Sequence, residues 1–434
     1  MPVSFGAATA RWVGWLKLPL FLFVLNVFFV SISLLGAFKG LGEGYGAALI
    51  KDLAQNPFVG LLLGILVTSI VQSSSTTTAL VVALVAGGAF GEDHAAAIPL
   101  AIPVIMGANI GTSVTNLLVS MAHVGNRKEF ERAFSCAVVH DFFNLLCVAI
   151  FLPLEVLTGL FSKVSLFLAE SFAAVGGLKV VSPLKFLVSP QVGLVESIFQ
   201  KPVAVEFLVN LIVAAMLFMG VAVLVRRVQA GLGQSLWVVG LLAVLSSLMI
   251  VLLRHFTEAV YSAPMATFLL GLVTLFGSLI GIVKIMRSVV VHRIETLFHD
   301  YVFKTATRAL VVGMLVTAIV QSSSVTTSII VPLAGAGILS IHQIYPYTLG
   351  ANVGTTITAI LAALSVGDIA SVAVAFGHLL FNGLGLAIFL PLRRIPVSGA
   401  LAFGRLAARA RIVALVFVLG VFFIVPISLV MVFR

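Results

Sequence analysis

The sequence predicts an all-α integral membrane protein built from two inverted-topology repeats, and three observations carry that prediction. Of the 434 residues, 61% are hydrophobic and 9% charged, and the mean hydropathy is +1.22. A water-soluble domain does not reach this balance, because it would lack the polar residues to cover its surface. Apolar runs long enough to cross roughly 30 Å of hydrocarbon recur along the chain, without the alternating pattern of a barrel, so helices must satisfy the backbone in lipid. LVTSIVQSSSTTT (66–78) and LVTAIVQSSSVTT (315–327) agree at 11 of 13 positions, which marks an internal repeat.

Full crossings are expected at 12–38, 95–122, 132–158, 203–228, 233–254, 263–287, 343–365, 368–393 and 411–433. The segments 57–90 and 309–339 are instead split by the polar clusters into arms of about 15 residues, each reaching about 22 Å as a helix. Each therefore reads as a re-entrant helical hairpin with its QSSS tip buried in protein. GANIGTSVT (107–115) and GANVGTTIT (350–358) set Asn and Thr among glycines within apolar spans, which predicts a broken transmembrane helix in each copy. AVVHDFFN and AFGHLLFN then place His140 opposite His378 and Asn144 opposite Asn382. The resulting organisation is a first repeat at 12–158, an external segment with a connecting helix pair at 159–260, a second repeat at 261–395 and a C-terminal span at 396–434.

Between the first span and the span at 263–287 the chain crosses five times, and an odd number inverts the second copy. Basic residues, among them Arg127, Lys128, Arg132, Arg226, Arg227, Arg393, Arg394 and Arg411, collect on the side of the N-terminus, which predicts a cytoplasmic N-terminus and an external C-terminus in a cell membrane. The Gln72 hairpin would then open from outside and the Gln321 hairpin from the cytoplasm. The net charge of +10 belongs to these loops, so no nucleic-acid partner is expected. NRKEFERAF (126–134) reads as a cytoplasmic loop or interfacial helix, and VSPLKFLVSPQVG (181–193), with two prolines, as an external loop. The apolar run 18–38 exceeds a signal-peptide core and reads as a retained span. Cys136 and Cys147 lie about 16 Å apart along one helix, too far to bridge, and no cofactor or transition-metal site is expected.

A run of polar groups from Gln72 to Thr78 is costly in lipid unless something satisfies it. Ser and Thr often serve close helix packing, but repetition of Gln-Ser-Ser-Ser favours a site. Hydroxyls and the free N–H groups of a helix starting at Ser73–Ser75 suit an oxyanion, while Gln, hydroxyl and carbonyl oxygens suit a small alkali cation. No Lys or Arg lies near either tip in sequence, so a bound anion would need co-bound cations. Asp141, Glu206, His140 and His378 are the ionisable residues that fall clearly within expected spans, away from their ends, and proton coupling through His140 or Asp141 is a less favoured alternative. An intramembrane serine hydrolase, with Ser73–Ser75 as nucleophile and His140 as base, is disfavoured because duplication has no catalytic use; the protein is not expected to be an enzyme.

The QSSS pair, IPVIMGANIGTSVTN (102–116), YPYTLGANVGTTITAILAAL (345–364) and AVVHDFFN with FLPLE (137–155) together resemble the sodium-dependent phosphate cotransporters of the type II class and their bacterial relatives, across roughly 57–158 and 309–433. The resemblance implies sodium–phosphate symport by alternating access, with Na+ as coupling ion. It also implies a shared site. Phosphate would be held by Ser73, Ser74, Ser75, Thr76, Ser322, Ser323, Ser324, Asn109 and Asn352; sodium would be held by Gln72, Gln321, Ser73, Ser322, Thr112, Thr355 and Thr326. By repeat position, and apart from the resemblance, His140, Asn144, His378 and Asn382 are candidate supporting residues, with a histidine hydrogen-bonded across helices as the equal alternative. A carrier or channel for another oxyanion shares most of these features. The hydrophobic segment 203–254 departs from the hydrophilic, disulfide-bearing loop of vertebrate members, and the phosphate-regulatory domain of some bacterial relatives is not expected after Arg434.

Overall fold

The computed structural model describes residues 6–35, 51–91, 93–176, 182–199 and 302–433, with a short helical run within 267–278. The spans expected at 203–228 and 233–254, and most of 263–287, lie outside the described residues. The described residues form helices and no strands: α1 (Gly6–Leu35), α2 (Pro57–Val71), α3 (Ser74–Ala86), α4 (His94–Gly111), α5 (Val114–Met121), α6 (Arg127–Thr158), α7 (Leu160–Ala174) and α8 (Ser182–Phe199) come first. After them come α9 (Ala306–Val320), α10 (Ser323–Ser328), α11 (Ile330–Gly335), α12 (Ile341–Val366), α13 (Ile369–Phe389), α14 (Arg394–Arg409), α15 (Arg411–Leu419) and α16 (Val425–Val432).

Among the described residues five stretches are long and apolar enough to cross a membrane: 95–121, 127–158, 341–366, 369–389 and 411–432. The arms α2 and α3, at 15 and 13 residues, reach about 22 and 20 Å, short of the hydrocarbon thickness. Glycine decides how they pack. A Cβ on Gly64 would collide with the Val104 carbonyl, and one on Gly107 with the Leu61 carbonyl, so α2 and α4 meet backbone to backbone. The repeat-related Gly313 and Gly350 meet the carbonyls of Tyr347 and Leu310 in the same way, bringing α9 onto α12. One glycine pattern thus builds one contact twice.

The two copies interlock. The second arm of the first copy, α3, packs on α12 and α13, while α10 and α11 pack on α5, and α11 also packs on α6. The buried faces form one continuous apolar core through both copies. Phe151 links them by an edge contact to Phe381, with centroids 5.6 Å apart.

Two expectations are corrected. Within the stretch 181–193 the described residues do not form the expected loop: Ser182–Phe199 is helical, with Pro190 inside it. The break expected in 343–365 is also absent, because α12 runs unbroken from Ile341 to Val366. In the first copy the helix is interrupted at Thr112–Ser113, where the Ser113 hydroxyl is drawn to the Asp141 carboxylate. The corresponding positions in the second copy are Thr356 and Leu379. Thr356 bonds back to the Val353 carbonyl at 2.7 Å, as Ser113 does to the Ile110 carbonyl at 2.8 Å, so the carboxylate contact is what differs between the interrupted helix and the continuous one.

Candidate functional site

Both QSSS segments fold into the same turn. Gln72 ends α2 in the left-handed region at φ 57°, and Gln321 ends α9 at φ 59°; among the described residues no other non-glycine residue has positive φ. Each Gln N–H closes the preceding helix at 2.7 Å, onto Thr68 in one copy and Thr317 in the other. The next serine is an extended N-cap: Ser73 accepts from the Thr76 N–H at 3.3 Å, and Ser322 from the Val325 N–H at 3.4 Å. A bulky side chain in the left-handed region costs energy, and the same strain twice marks a constrained geometry. Ser74 and Ser75 occupy the first turn of α3, where their N–H groups have no intrahelical partner.

The two turns differ in what they bond. Gln321 is 7% exposed and accepts from the Thr358 hydroxyl at 2.7 Å, and its amide donates to the Ala318 carbonyl. Thr317 and Thr326 share a hydrogen bond at 2.8 Å. Ser324 donates across the copies to the Gln72 carbonyl at 3.3 Å. In the first copy none of these three bonds has its counterpart. Gln72 is exposed, and the hydroxyls of Thr68, Ser75 and Thr115, equivalent to Thr317, Ser324 and Thr358, are buried without a partner among the described residues. Buried hydroxyls are normally bonded, so three orphans around one turn point to a ligand-accepting surface.

Asn109, Asn144, Asn352, His378 and Asn382 gather into a buried polar knot between the copies. Asn144 donates to the Asn109 carbonyl at 2.8 Å and accepts from Asn352 at 3.2 Å, while Asn382 and the His378 ring each approach the Asn109 side-chain oxygen at 3.2 Å. Asn109 also donates to the Ile105 carbonyl at 3.0 Å, which commits its side chain to the knot. Thr112 and Thr355 bond back to Ala108 and Ala351 at 2.9 and 3.0 Å and keep lone pairs free. His140 is fully buried on α6 next to Asp141, whose second carboxylate oxygen has no partner among the described residues. Among the described residues no group of His, Cys, Asp and Glu could hold a metal ion by itself.

Two further bonds fasten the second hairpin to the first copy. Asn116 and Thr327 pair at 2.9 Å, and the Arg132 guanidinium donates twice to the Gly335 carbonyl, from Nε at 2.9 Å and Nη2 at 2.6 Å. Reading the sequence did not single out Thr68, Thr115, Thr317, Thr358, Asn116 or Arg132 as site residues. For the four threonines the signal lay in motifs already quoted, since Thr68 answers Thr317 and Thr115 answers Thr358 at identical repeat positions.

The profile of the Na+/Pi-cotransporter family matches residues 22–159 and 275–390. Sodium-dependent phosphate transport protein 2A of Rattus norvegicus is 34% identical over 435 residues, covering 95% of this chain and 67% of that protein. Protein 2A of Ovis aries is 36% identical over 449 residues, with the same coverage. Protein 2B of Homo sapiens is 34% identical over 453 residues, covering 95% of this chain and 64% of that protein. No solved structure matches.

Proposed function

The chain belongs to the Na+/Pi-cotransporter family, and from that premise we propose that it carries inorganic phosphate across a cell membrane by symport with sodium, using the two QSSS turns as a shared site. The observation that carries the site assignment is the unequal bonding of the two turns. The second has closed its Gln321–Thr358, Thr317–Thr326 and Ser324–Gln72 bonds, while Thr68, Ser75 and Thr115 in the first have no partner among the described residues. Such a pair is what alternating access requires: one element with two arrangements, biased by a ligand that binds one of them better.

In this reading the hydroxyls of Ser74, Ser75, Ser323 and Ser324 face the phosphate. Ser73 and Ser322 hold the turns in shape, and Asn109 and Asn352 act through the knot that joins the copies. Gln72, Gln321, Thr112, Thr326 and Thr355 supply neutral oxygens for sodium. With no Lys or Arg in the turn segments 72–78 and 321–327, the anion's charge is offset by the cations bound beside it. The short arms α2–α3 and α9–α11 are re-entrant, the copies are inverted, and the Gln72 turn faces outward from a cytoplasmic N-terminus.

Uptake of labelled phosphate into proteoliposomes tests this. A sodium gradient should drive accumulation, and replacing sodium by potassium should abolish it. Equal rates in the two salts would overturn the coupling. Wild-type uptake by both Gln72→Ala and Gln321→Ala would overturn the site.

A further inference from the structure

Helix α14 joins the membrane-length α13 to the still more apolar stretch 411–432, so both of its ends lie next to helices long and apolar enough to cross a bilayer. Its two faces differ in chemistry. Pro396, Val397, Ala400, Gly404, Ala407 and Ala408 are buried, and α14 packs along α6. Gly404 sits against Ser135, and Phe403 stacks near Phe134 with ring centroids 5.9 Å apart. On the opposite face Arg394, Arg405 and Arg409 are all exposed. At 100° per residue they fall within an arc of about 60°. Ile395 and Leu406 border that arc, 52% and 49% exposed. Arg393 and Arg411 extend the charge at either end, and the sequence holds no acidic residue after Asp368.

Nothing among the described residues neutralises these five arginines: none of their side chains makes an ion pair or hydrogen bond there. Glu131 and Glu129, on the part of α6 facing the end of α14, do not reach them; Glu129 is bonded to His123 and Asn126. A stripe of guanidinium groups beside a strip of exposed aliphatic side chains, held at the end of two membrane helices, is complementary to an anionic headgroup with acyl chains below it. Guanidinium binds phosphodiester oxygens through paired donors. We propose that the outer face of α14 is a binding surface for anionic phospholipids, with Arg394, Arg405 and Arg409 gripping headgroup phosphates and Ile395 and Leu406 resting on the acyl region.

Lipid binding can be read without transport, so its outcome is separate from that of the symport reading. The purified full chain is titrated with dioleoylphosphatidylglycerol or dioleoylphosphatidylcholine in neutral detergent, and bound lipid is counted by native mass spectrometry. The wild type should prefer phosphatidylglycerol by about tenfold or more. R394Q/R405Q/R409Q should lose that preference, and the matching lysine triple should keep most of it. An undiminished preference in the glutamine triple overturns the proposal. Should that triple fail to fold, R405Q alone decides the matter: a loss of about threefold or more supports the surface, and unchanged affinity overturns it. Displacement of the lipid by poly-glutamate or inorganic phosphate at equal concentration would also overturn it, pointing to a general anion site.

Discussion

The hydroxyl of Ser324 donates to the backbone carbonyl of Gln72 at 3.3 Å, so the turns of the two copies touch although 252 residues separate them. A neutral hydrogen bond of this length contributes on the order of 1 kcal/mol or less.

Ser75, the repeat partner of Ser324, has a buried hydroxyl with no bond to lose among the described residues. Ser75→Ala should therefore leave the thermal midpoint unchanged or slightly raised and still depress phosphate uptake severalfold. Ser73→Ala removes an N-cap and should lower stability by about 1 kcal/mol. Melting curves in detergent beside proteoliposome uptake separate these effects, and a large loss of stability in Ser75→Ala would contradict the structure of this turn.

Gln72 and Gln321 occupy equivalent positions in different surroundings. Removing the buried Gln321 side chain strands the Thr358 hydroxyl and should cost about 1–3 kcal/mol. The same change at exposed Gln72 should cost less than about 0.5 kcal/mol. Denaturation of the two alanine variants checks the difference, and equal losses would mean that the two turns share one environment.

Much of this was legible beforehand. The internal repeat located both turns, because a polar tetrapeptide recurring in apolar surroundings has few explanations, and the short arms followed from length alone. The asymmetry was not legible, since identical residues cannot disclose which copy is bonded and which is open. The interruption at Thr112–Ser113 coincides with a contact to Asp141, 28 positions away in sequence, which the glycine pattern does not contain, so that pattern predicted two breaks where one exists. Proline misled at 181–193, where Pro190 is accommodated inside a helix. The resemblance and the repeat geometry make Asn109 a supporting phosphate ligand, and its hydrogen bonds with Asn144, His378 and Asn382 appear only once the copies are packed together.

Close backbone approach at Gly64 and Gly350 should make alanine costly at either position. The added methyl meets a carbonyl oxygen, which cannot move aside as a side-chain end would. Each substitution should destabilise by about 1–3 kcal/mol. Gly420 has nothing within 4 Å of an added Cβ and no positive φ, so Gly420→Ala serves as the neutral control. Thermal midpoints of the three variants test this, and a Gly64→Ala protein as stable as Gly420→Ala would refute the packing of α2 on α4.

Arg132 reaches from α6 to the end of α11 and closes two hydrogen bonds on the Gly335 carbonyl. The corresponding positions of the internal repeat are Ala370 and Ala86, so this clamp has no counterpart on the first hairpin. Lysine at position 132 keeps the charge but cannot reproduce the paired Nε and Nη2 donors. If the clamp holds the second turn closed, both Arg132→Ala and Arg132→Lys should raise the rate at which a thiol reagent labels a cysteine placed at Ser322, in a background with Cys136 and Cys147 replaced by alanine. Because Ser322 is 7% exposed, the starting rate should be low and the increase about tenfold or more, matching the loss of a bond worth about 1.5–3 kcal/mol to a charged group. Labelling of a cysteine at the exposed Gln72 should not rise in the same variants, since that turn is already open. Equal acceleration at both positions would indicate general loosening, and no acceleration at Ser322 would show that the second hairpin stays closed without Arg132.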